Sequence, residues 1–274
     1  MRRNKSILLP ALVLGAILLA SVLAPLLAPY DPGAIDVAAA LQPPGSPGHL
    51  LGTDALGRDM LSRLLYGGRG AILTALAATV LSMAFGLVVG VLGGYFGGWL
   101  DWGLTVLTNI FQGLPGTCLM VAVAGVLGPG AEHLVLALVL TSWAGFSRVV
   151  RTETIRVREA PFVENLRALG AGPVRLLCCH VVPNLLPNLV VLFTTRLGRG
   201  VLSVAALSFL GLGLPPPAPD WSVMINDARL HYRSAPYLLI EPGVCILLLL
   251  LSLNLLGDAL RDRLDGASEE VSLD

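Results

Sequence analysis

Apolar residues occur in long runs along the chain, separated by shorter stretches that are rich in polar residues, proline and glycine. The first run, from Ile7 to Ala28, follows the cationic residues Arg2, Arg3 and Lys5. It is longer than the roughly 7–15 apolar residues of a signal peptide and long enough to cross about 30 Å of hydrocarbon. We therefore predict an uncleaved first membrane helix, with a cleaved signal peptide as the alternative.

Further apolar runs predict membrane helices at about 71–95, 106–127, 134–150, 189–212 and 238–256. Small residues recur in the first of these between Gly86 and Gly94, which favours close contact between helices in lipid. The pattern predicts an all-α integral membrane protein with six transmembrane helices.

The remaining segments define the domain organisation. We predict four parts: the N-terminal tail and first helix at 1–30, an extracytoplasmic loop at 31–68, a five-helix core at 69–260 that includes a cytoplasmic loop at 151–183, and a cytoplasmic tail at 261–274. The loop at 31–68 is rich in proline and glycine and contains a short polar helix near Asp59 to Tyr66. Within it we expect Thr53 or Asp54 to cap a turn, Gly57 to permit a bend and Arg58 to pair with Asp59.

Basic residues are distributed unequally between the two sides that six crossings define. The side of the N-terminus carries eleven, namely Arg2, Arg3, Lys5, Arg148, Arg151, Arg156, Arg158, Arg167, Arg175, Arg261 and Arg263. The opposite side carries five, namely Arg58, Arg63, Arg69, Arg229 and Arg233. Because cytoplasmic segments of membrane proteins are enriched in Lys and Arg, both termini are predicted to be cytoplasmic.

The composition supports lipid contact and excludes several classes of protein. Only 13% of the residues are charged, against about 25% in soluble domains, and 55% are hydrophobic. The formal net charge is zero, so nothing suggests nucleic-acid binding. The cysteines and histidines show no metal-ligand or disulfide spacing, so we expect neither a metal nor a cofactor in this chain.

Two classes of enzyme are excluded because the sequence motifs that they need are absent. The only lysine, Lys5, follows no glycine-rich turn, so the chain has no P-loop for ATP. Ser142 and Ser147 lie in one apolar run, but no G-x-S-x-G turn supports a serine hydrolase in the membrane. We therefore expect no catalytic residues.

The predicted cytoplasmic loop at 151–183 contains two short helices, separated at Gly170 to Gly172, with Pro173 in the first turn of the second. Val163, Leu166 and Leu169 form an apolar stripe, beside polar positions at Glu164, Arg167 and Arg175. A displayed amphipathic helix of this kind docks in a groove of a partner. A helix resting on lipid head groups is the alternative.

The sequence ENLRALGAGPVRLLCCHVVPN, at 164–184, resembles the coupling loop of ATP-binding-cassette (ABC) importer permeases. That loop follows the pattern E-A-A, three residues, G, nine residues, I-x-L-P. Glu164 and Gly170 match the E and the G, and Pro183 matches the P. The departures are Asn165 and Leu166 for the two alanines, His180 for the isoleucine and Val182 for the leucine. By resemblance, the loop sits in a cleft of the ATPase subunit through Glu164, Arg167, Ala168, Gly170, Arg175, His180 and Pro183.

Three more stretches are similar to the dipeptide, oligopeptide and nickel branch of these permeases. They are LGTDALGRDMLSRLLYGGR at 51–69, LSFLGLGLPPPAPDWSVMINDAR at 207–229 and NLLGDALRDRLD at 254–265. Within this branch, the residues WSVMINDAR of the second stretch most resemble those of the nickel-type second permease. The resemblance implies a type I ABC importer permease fold with cytoplasmic coupling helices.

The same resemblance implies the partners and the solutes. It implies a homologous second permease, two ATPase subunits that bind ATP and magnesium, an extracytoplasmic solute-binding protein and a bacterial inner membrane. The solute would be nickel, a metal chelate such as a metallophore complex, or a di- or oligopeptide. A membrane sensor or scaffold that docks a cytoplasmic protein without transport is the alternative.

Two arginines lie inside an apolar run, at Arg196 and Arg199. Because a charge in the bilayer is costly, we expect them to face protein or water and to line the translocation path. Snorkelling to the head groups, or pairing with a carboxylate of a partner subunit, is the alternative. Two positive groups would disfavour a bare divalent cation and suit carboxylates. Asp101 and Glu132, near predicted helix ends, are expected to be solvated.

Overall fold

The structure, a computed structural model, describes residues 2–215 and 217–271, with side chains at 7–215 and 217–263. Its helices are α1 (Arg2–Val22), α2 (Ala24–Leu27), α3 (Met60–Phe96), α4 (Gly98–Gly113), α5 (Gly116–Leu127), α6 (Ala131–Arg158), α7 (Pro161–Ala168), α8 (Pro173–Leu176), α9 (Val182–Phe209), α10 (Trp221–Ala228) and α11 (Tyr237–Val271). A 3₁₀ turn spans Val37–Ala39, and a π-turn at Leu177–Val181 joins α8 to α9. The predicted all-α class is confirmed.

Four helical stretches are long and apolar enough to cross a bilayer, at Met60–Phe96, Ala131–Arg158, Pro173–Phe209 and Tyr237–Arg263. A fifth crossing is obtained if α4 and α5, which are bent by 84° relative to each other, are counted as one span. The apolar part of α1, Ile7–Val22, is shorter than these. The presence of six crossings therefore stays a prediction. The cationic residues Arg2, Arg3 and Lys5 lie outside the residues whose side chains are described.

The hydropathy of the apolar run at 106–127 predicts one helix, but the structure divides this run between α4 and α5. Pro115 follows the last residue of α4 by two positions, and proline disfavours helical geometry in the residue before it. Leu114 is accordingly extended, with φ −80° and ψ 138°, and the chain turns there into α5. Similarly, Pro25 in the first turn of α2 follows a break at Leu23, which ends α1 before the predicted Ala28.

The boundary predicted at residue 69 lies inside a helix. The polar helix expected near Asp59 is the beginning of α3, whose first turn is capped because the Asp59 carboxylate accepts a hydrogen bond from the Ser62 N–H at 2.8 Å. The loop predicted at 151–183 is likewise shorter than those bounds. Residues up to Arg158 belong to α6, and the chain is helical again from Pro173.

Glycines of α3 bring this helix against α6, as their spacing predicts. A Cβ atom at Gly86 would lie 2.6 Å from the Phe146 Cβ, and one at Gly90 would lie 2.6 Å from the Ser147 carbonyl oxygen. A Cβ at Gly94 would lie 2.8 Å from the Arg151 carbonyl oxygen. The main core then forms where α3, α6, α9, α10 and α11 meet, through Met60, Ala75, Ala78, Leu134, Leu138, Val201, Val204, Trp221 and Leu249.

Candidate functional site: the loop between α6 and α9 and a polar cavity

The turn between α7 and α8 has the geometry of a Schellman motif. The Gly170 N–H donates to the Arg167 carbonyl and the Ala171 N–H to the Leu166 carbonyl, both at 3.0 Å. Gly170 has φ +87°, which glycine adopts without the steric cost that a side chain adds. Pro173 then occupies the first turn of α8. The two short helices and the break between them are as predicted from the sequence.

The loop has an inner face that is packed into the membrane domain. Val163 is fully buried, and it joins a cluster with Val91 and Tyr95 of α3, Val157 of α6 and Leu185 of α9. Leu176 and Val181 belong to the same cluster. The loop is therefore anchored to three long helices, and not suspended beside them.

The outer face of the loop displays both apolar and charged side chains. Leu169 is 85% exposed, so the prediction that it shares a stripe with buried Val163 is wrong. Phe162 and Val174 are also exposed. Glu164, Arg167 and Arg175 are exposed and make no salt bridge with any residue that the structure describes. Unpaired charges interspersed with apolar side chains are typical of a surface that another protein covers.

The remaining predicted coupling residues flank the same turn. Ala168 is the exposed last residue of α7, and His180 is half-buried in the π-turn. The His180 carbonyl accepts a hydrogen bond from Asn184 Nδ2 at 2.6 Å. Pro183 lies in the first turn of α9 and lacks an N–H, which disturbs regular α-helical bonding to the preceding turn. The π-turn was not predicted from the sequence, although Pro183 was an available signal for it.

A polar cavity of about 170 Å³ lies between α3, α6 and α9, and both predicted arginines line it. Its polar lining consists of Arg196, Arg199, Thr79, Ser82, Ser142 and Ser203. The Arg196 guanidinium lies over the Phe146 ring, with Cζ 5.4 Å from the ring centroid. Within the described part of the chain, neither arginine forms an ion pair or a hydrogen bond. The structure thus brings Arg196 and Arg199 together, while the predicted coupling residues lie elsewhere.

At the other end of the helices, a cluster of charges fixes the loop at 31–59. Asp54 caps a turn by accepting from the Leu56 and Arg58 N–H groups, and Gly57 has φ +73°, both as expected. The expected Arg58–Asp59 pair is wrong. Arg58 Nε donates instead to Asp54 Oδ2 at 2.6 Å, because the turn folds these side chains onto each other.

The same cluster reaches α3 and α10. Arg63, which is only 1% exposed, places Nε 3.5 Å from Asp54 Oδ2 and donates from Nη1 to the Pro32 carbonyl at 3.2 Å. Arg58 Nη2 lies 3.7 Å from Asp227 Oδ2 on α10, and burial raises the pKa of Asp227. These contacts join segments that are distant in sequence, so no local pattern predicted them.

A scan against protein-family models matches residues 84–268 to the family described as "Binding-protein-dependent transport system inner membrane component". The chain belongs to this family of transport permeases. Residues 1–44 also match the N-terminal transmembrane domain of oligopeptide transport permease C.

Curated relatives of this permease cover nearly its full length. It is 36% identical over 269 residues to the dipeptide transport system permease protein DppC of Haemophilus influenzae, covering 96% of this chain and 91% of that protein. It is 40% identical over 237 residues to the nickel transport system permease protein NikC of Escherichia coli K12, covering 86% and 85%. It is 38% identical over 220 residues to the glutathione transport system permease protein GsiD of Pectobacterium atrosepticum, covering 80% and 73%.

The fold of this permease agrees with that of a solved importer. An inward-facing structure of the MetNI methionine ABC transporter aligns with a TM-score of 0.62 and 21% identity, covering 74% of this chain and 97% of that one. The type I ABC importer permease fold is therefore confirmed. The permease is a transport subunit without an ATPase of its own, in the inner membrane, and the alternative of a sensor or scaffold is not favoured by these relatives.

Proposed function

We propose that the loop between α6 and α9 couples this ABC importer permease to a cytoplasmic ATPase. The residues assigned to the contact and its hinge are Glu164, Arg167, Ala168, Gly170, Arg175, His180 and Pro183. One observation carries the proposal: the inner face of the loop is packed into the membrane domain, while its outer face exposes Leu169 and charges that are unpaired among the described residues. A loop built in this way receives force from a partner and passes it to helices.

The assembly that follows contains a homologous second permease, two ATPase subunits that bind ATP and magnesium, and an extracytoplasmic solute-binding protein. The family description of binding-protein-dependent transport supports the last of these. Both termini are cytoplasmic in this assembly. The orientation is supported by Arg158 and Arg167 at the loop end of the bundle, where a cytoplasmic excess of arginine is expected.

The solute passes beside Arg196 and Arg199 in this proposal. The relatives named above are permeases for dipeptide, nickel and glutathione. Two cations in one cavity repel a bare divalent ion, so a di- or oligopeptide or a nickel chelate suits this permease better than free nickel.

The test is the substitution Gly170→Pro in the transporter reconstituted with its partner subunits. Proline fixes φ near −65°, which is incompatible with the +87° of Gly170, so the turn between α7 and α8 must change. We expect binding-protein-stimulated ATP hydrolysis and ATP-driven uptake to be lost, while the protein remains in the membrane and retains its helical circular dichroism.

Gly45→Pro is the matched control. Gly45 has φ +85°, donates one backbone hydrogen bond at 2.9 Å and has open space where a Cβ would stand, as Gly170 does, but it lies at the opposite end of the molecule. It should leave stimulated ATP hydrolysis largely intact. Normal uptake by the Gly170→Pro variant, or labelling of a cysteine at position 169 only from outside the cell, would refute the coupling assignment.

A further inference from the structure

We propose that α3, α6 and α9 build a carboxylate-binding subsite in this permease, in which Arg196 and Arg199 bind the anionic end of the solute. The proposal rests on the solute path proposed above, beside Arg196 and Arg199, and names the chemical class of solute that this path recognises. It concerns a cavity within one chain, so it does not require the coupling loop to act as proposed.

The charges that line the cavity have one sign. Its lining contains two arginines and no Asp or Glu, and its volume of about 170 Å³ is well above the roughly 15 Å³ that admits one water. Arg196 and Arg199 are three residues apart on α9, so they lie on the same face of the helix. Two neighbouring guanidinium groups repel each other, and an anion between them would relieve the repulsion.

Packing determines where the Arg196 side chain lies. Its guanidinium rests on Phe146, and Gly145 leaves room for it, because a Cβ there would lie 2.9 Å from Arg196 Nη1. Gly200 brings α9 close to α3 in the same way, with a hypothetical Cβ 3.0 Å from Thr79 Oγ1. A cation that is held in position by a glycine and an aromatic ring is characteristic of a preorganised binding site, whereas a snorkelling side chain needs no such support.

Hydroxyl groups complete the polar lining. Thr79 and Ser82 donate to carbonyls of their own helix at 2.7 and 2.6 Å, so their hydrogens are already used. Ser142 and Ser203 have no hydrogen-bond partner among the described residues and can each donate to an anion. Two arginines and two free hydroxyls form a set of donors that suits a carboxylate.

The depth of Arg199 along α9 indicates whether a bound anion would come from a solute or from a lipid head group. Arg199 lies ten residues before Phe209, the end of α9, and seventeen after its beginning at Val182. At about 1.5 Å per residue it is roughly 15 Å from the nearer end, which is deep in the hydrocarbon region and away from phosphate head groups. A carboxylate that reaches this depth belongs to a molecule that is crossing the membrane.

The deciding experiment measures the electrostatic potential in the cavity of the assembled transporter. Ser142→Cys is introduced after Cys118, Cys178, Cys179 and Cys245 have been replaced by alanine, and its labelling rates with a sulfonate and an ammonium methanethiosulfonate reagent are compared. We expect the anionic reagent to react roughly tenfold or more faster than the cationic one. The preference should disappear in the Arg196→Gln/Arg199→Gln background and persist with lysine at both positions.

Uptake provides the second readout, with dialanine, glutathione and free Ni²⁺ as probes. The double glutamine variant should lose at least tenfold in uptake of the carboxylate-bearing probes and less for Ni²⁺, while stimulated ATP hydrolysis is retained. Arg69→Gln, which removes the same charge on α3 outside the cavity, should change neither readout. A labelling preference that is absent in the parent protein, or unchanged in the double glutamine variant, overturns the subsite even if the permease couples to ATP normally.

Discussion

The close packing of α3 against α6 predicts the effect of adding one methyl group. In Gly90→Ala, the new Cβ would lie 2.6 Å from the Ser147 carbonyl oxygen and 2.8 Å from the Val150 Cβ. Neither atom is the end of a flexible side chain, so α3 and α6 have to move apart. Overpacking of this kind costs about 1–3 kcal/mol, against a gain of up to about 1 kcal/mol because alanine favours a helix more than glycine.

When the full gain is subtracted, the net loss for Gly90→Ala is therefore up to about 2 kcal/mol. Gly103→Ala in α4 is the matched control, because a Cβ there meets nothing within 4 Å and only the gain in helix propensity remains. The two variants should change stability in opposite directions. At about 2–4 °C per kcal/mol, their apparent melting temperatures should differ by several degrees.

The assay is thermal unfolding of both variants in the same detergent, followed by tryptophan fluorescence and by loss of soluble protein. Trp143 of α6 lies in the buried layer beside Val89 of α3, so its emission reports the separation of the two helices. If Gly90→Ala were as stable as Gly103→Ala, the close approach of α3 and α6 would be refuted, and with it the packing argument for Gly86, Gly90 and Gly94.

Two further predictions concern the end of the molecule that carries the loop at 31–59. Arg63→Met keeps the bulk of a buried side chain but removes a charge near Asp54, so we expect a loss of about 1–3 kcal/mol in unfolding free energy, with Arg69→Met as an exposed control. Burial raises the pKa of Asp220, which accepts hydrogen bonds from the Ser222 and Val223 N–H groups. Because its ionised form is disfavoured in the fold, stability should fall as pH rises from about 4 through the raised pKa, and Asp220→Asn should weaken this dependence in melting curves against pH.

The sequence predicted those features of the fold that depend on local or periodic signals. The glycines from Gly86 to Gly94 indicated close packing, and Gly170 with Pro173 indicated the break in the loop between α6 and α9. The bend at Pro115 was missed because hydropathy stays high through it, although proline was a local signal. Hydropathy reports burial in lipid or protein and does not report the direction of the helix axis.

Contacts between distant segments were beyond the sequence analysis. Asp101 was expected to be solvated, but it forms a charge-assisted pair with Arg151, fifty residues away on α6. The expectation for Glu132 was correct, since its side chain is 76% exposed. In the cavity, Arg196 and Arg199 were identified because they interrupt an apolar run, whereas Ser142 and Ser203 carry no such signal and are recognised only when α6 and α9 are packed together.

The packing of the loop also limits how this permease can move. Val163, Leu176 and Val181 share one buried cluster with residues of α3, α6 and α9, so the loop cannot shift without these helices. From Pro173 to Arg196 the chain is helical throughout, a rise of about 35 Å, and the same three helices enclose the arginines. If a partner displaces the loop, the cavity should therefore move with it as one body. If this permease pairs with a second one, as proposed above, the passage would then open at the surface that they share, because separating α3 from α6 within this chain would break the contact of Gly86 and Gly90 with α6.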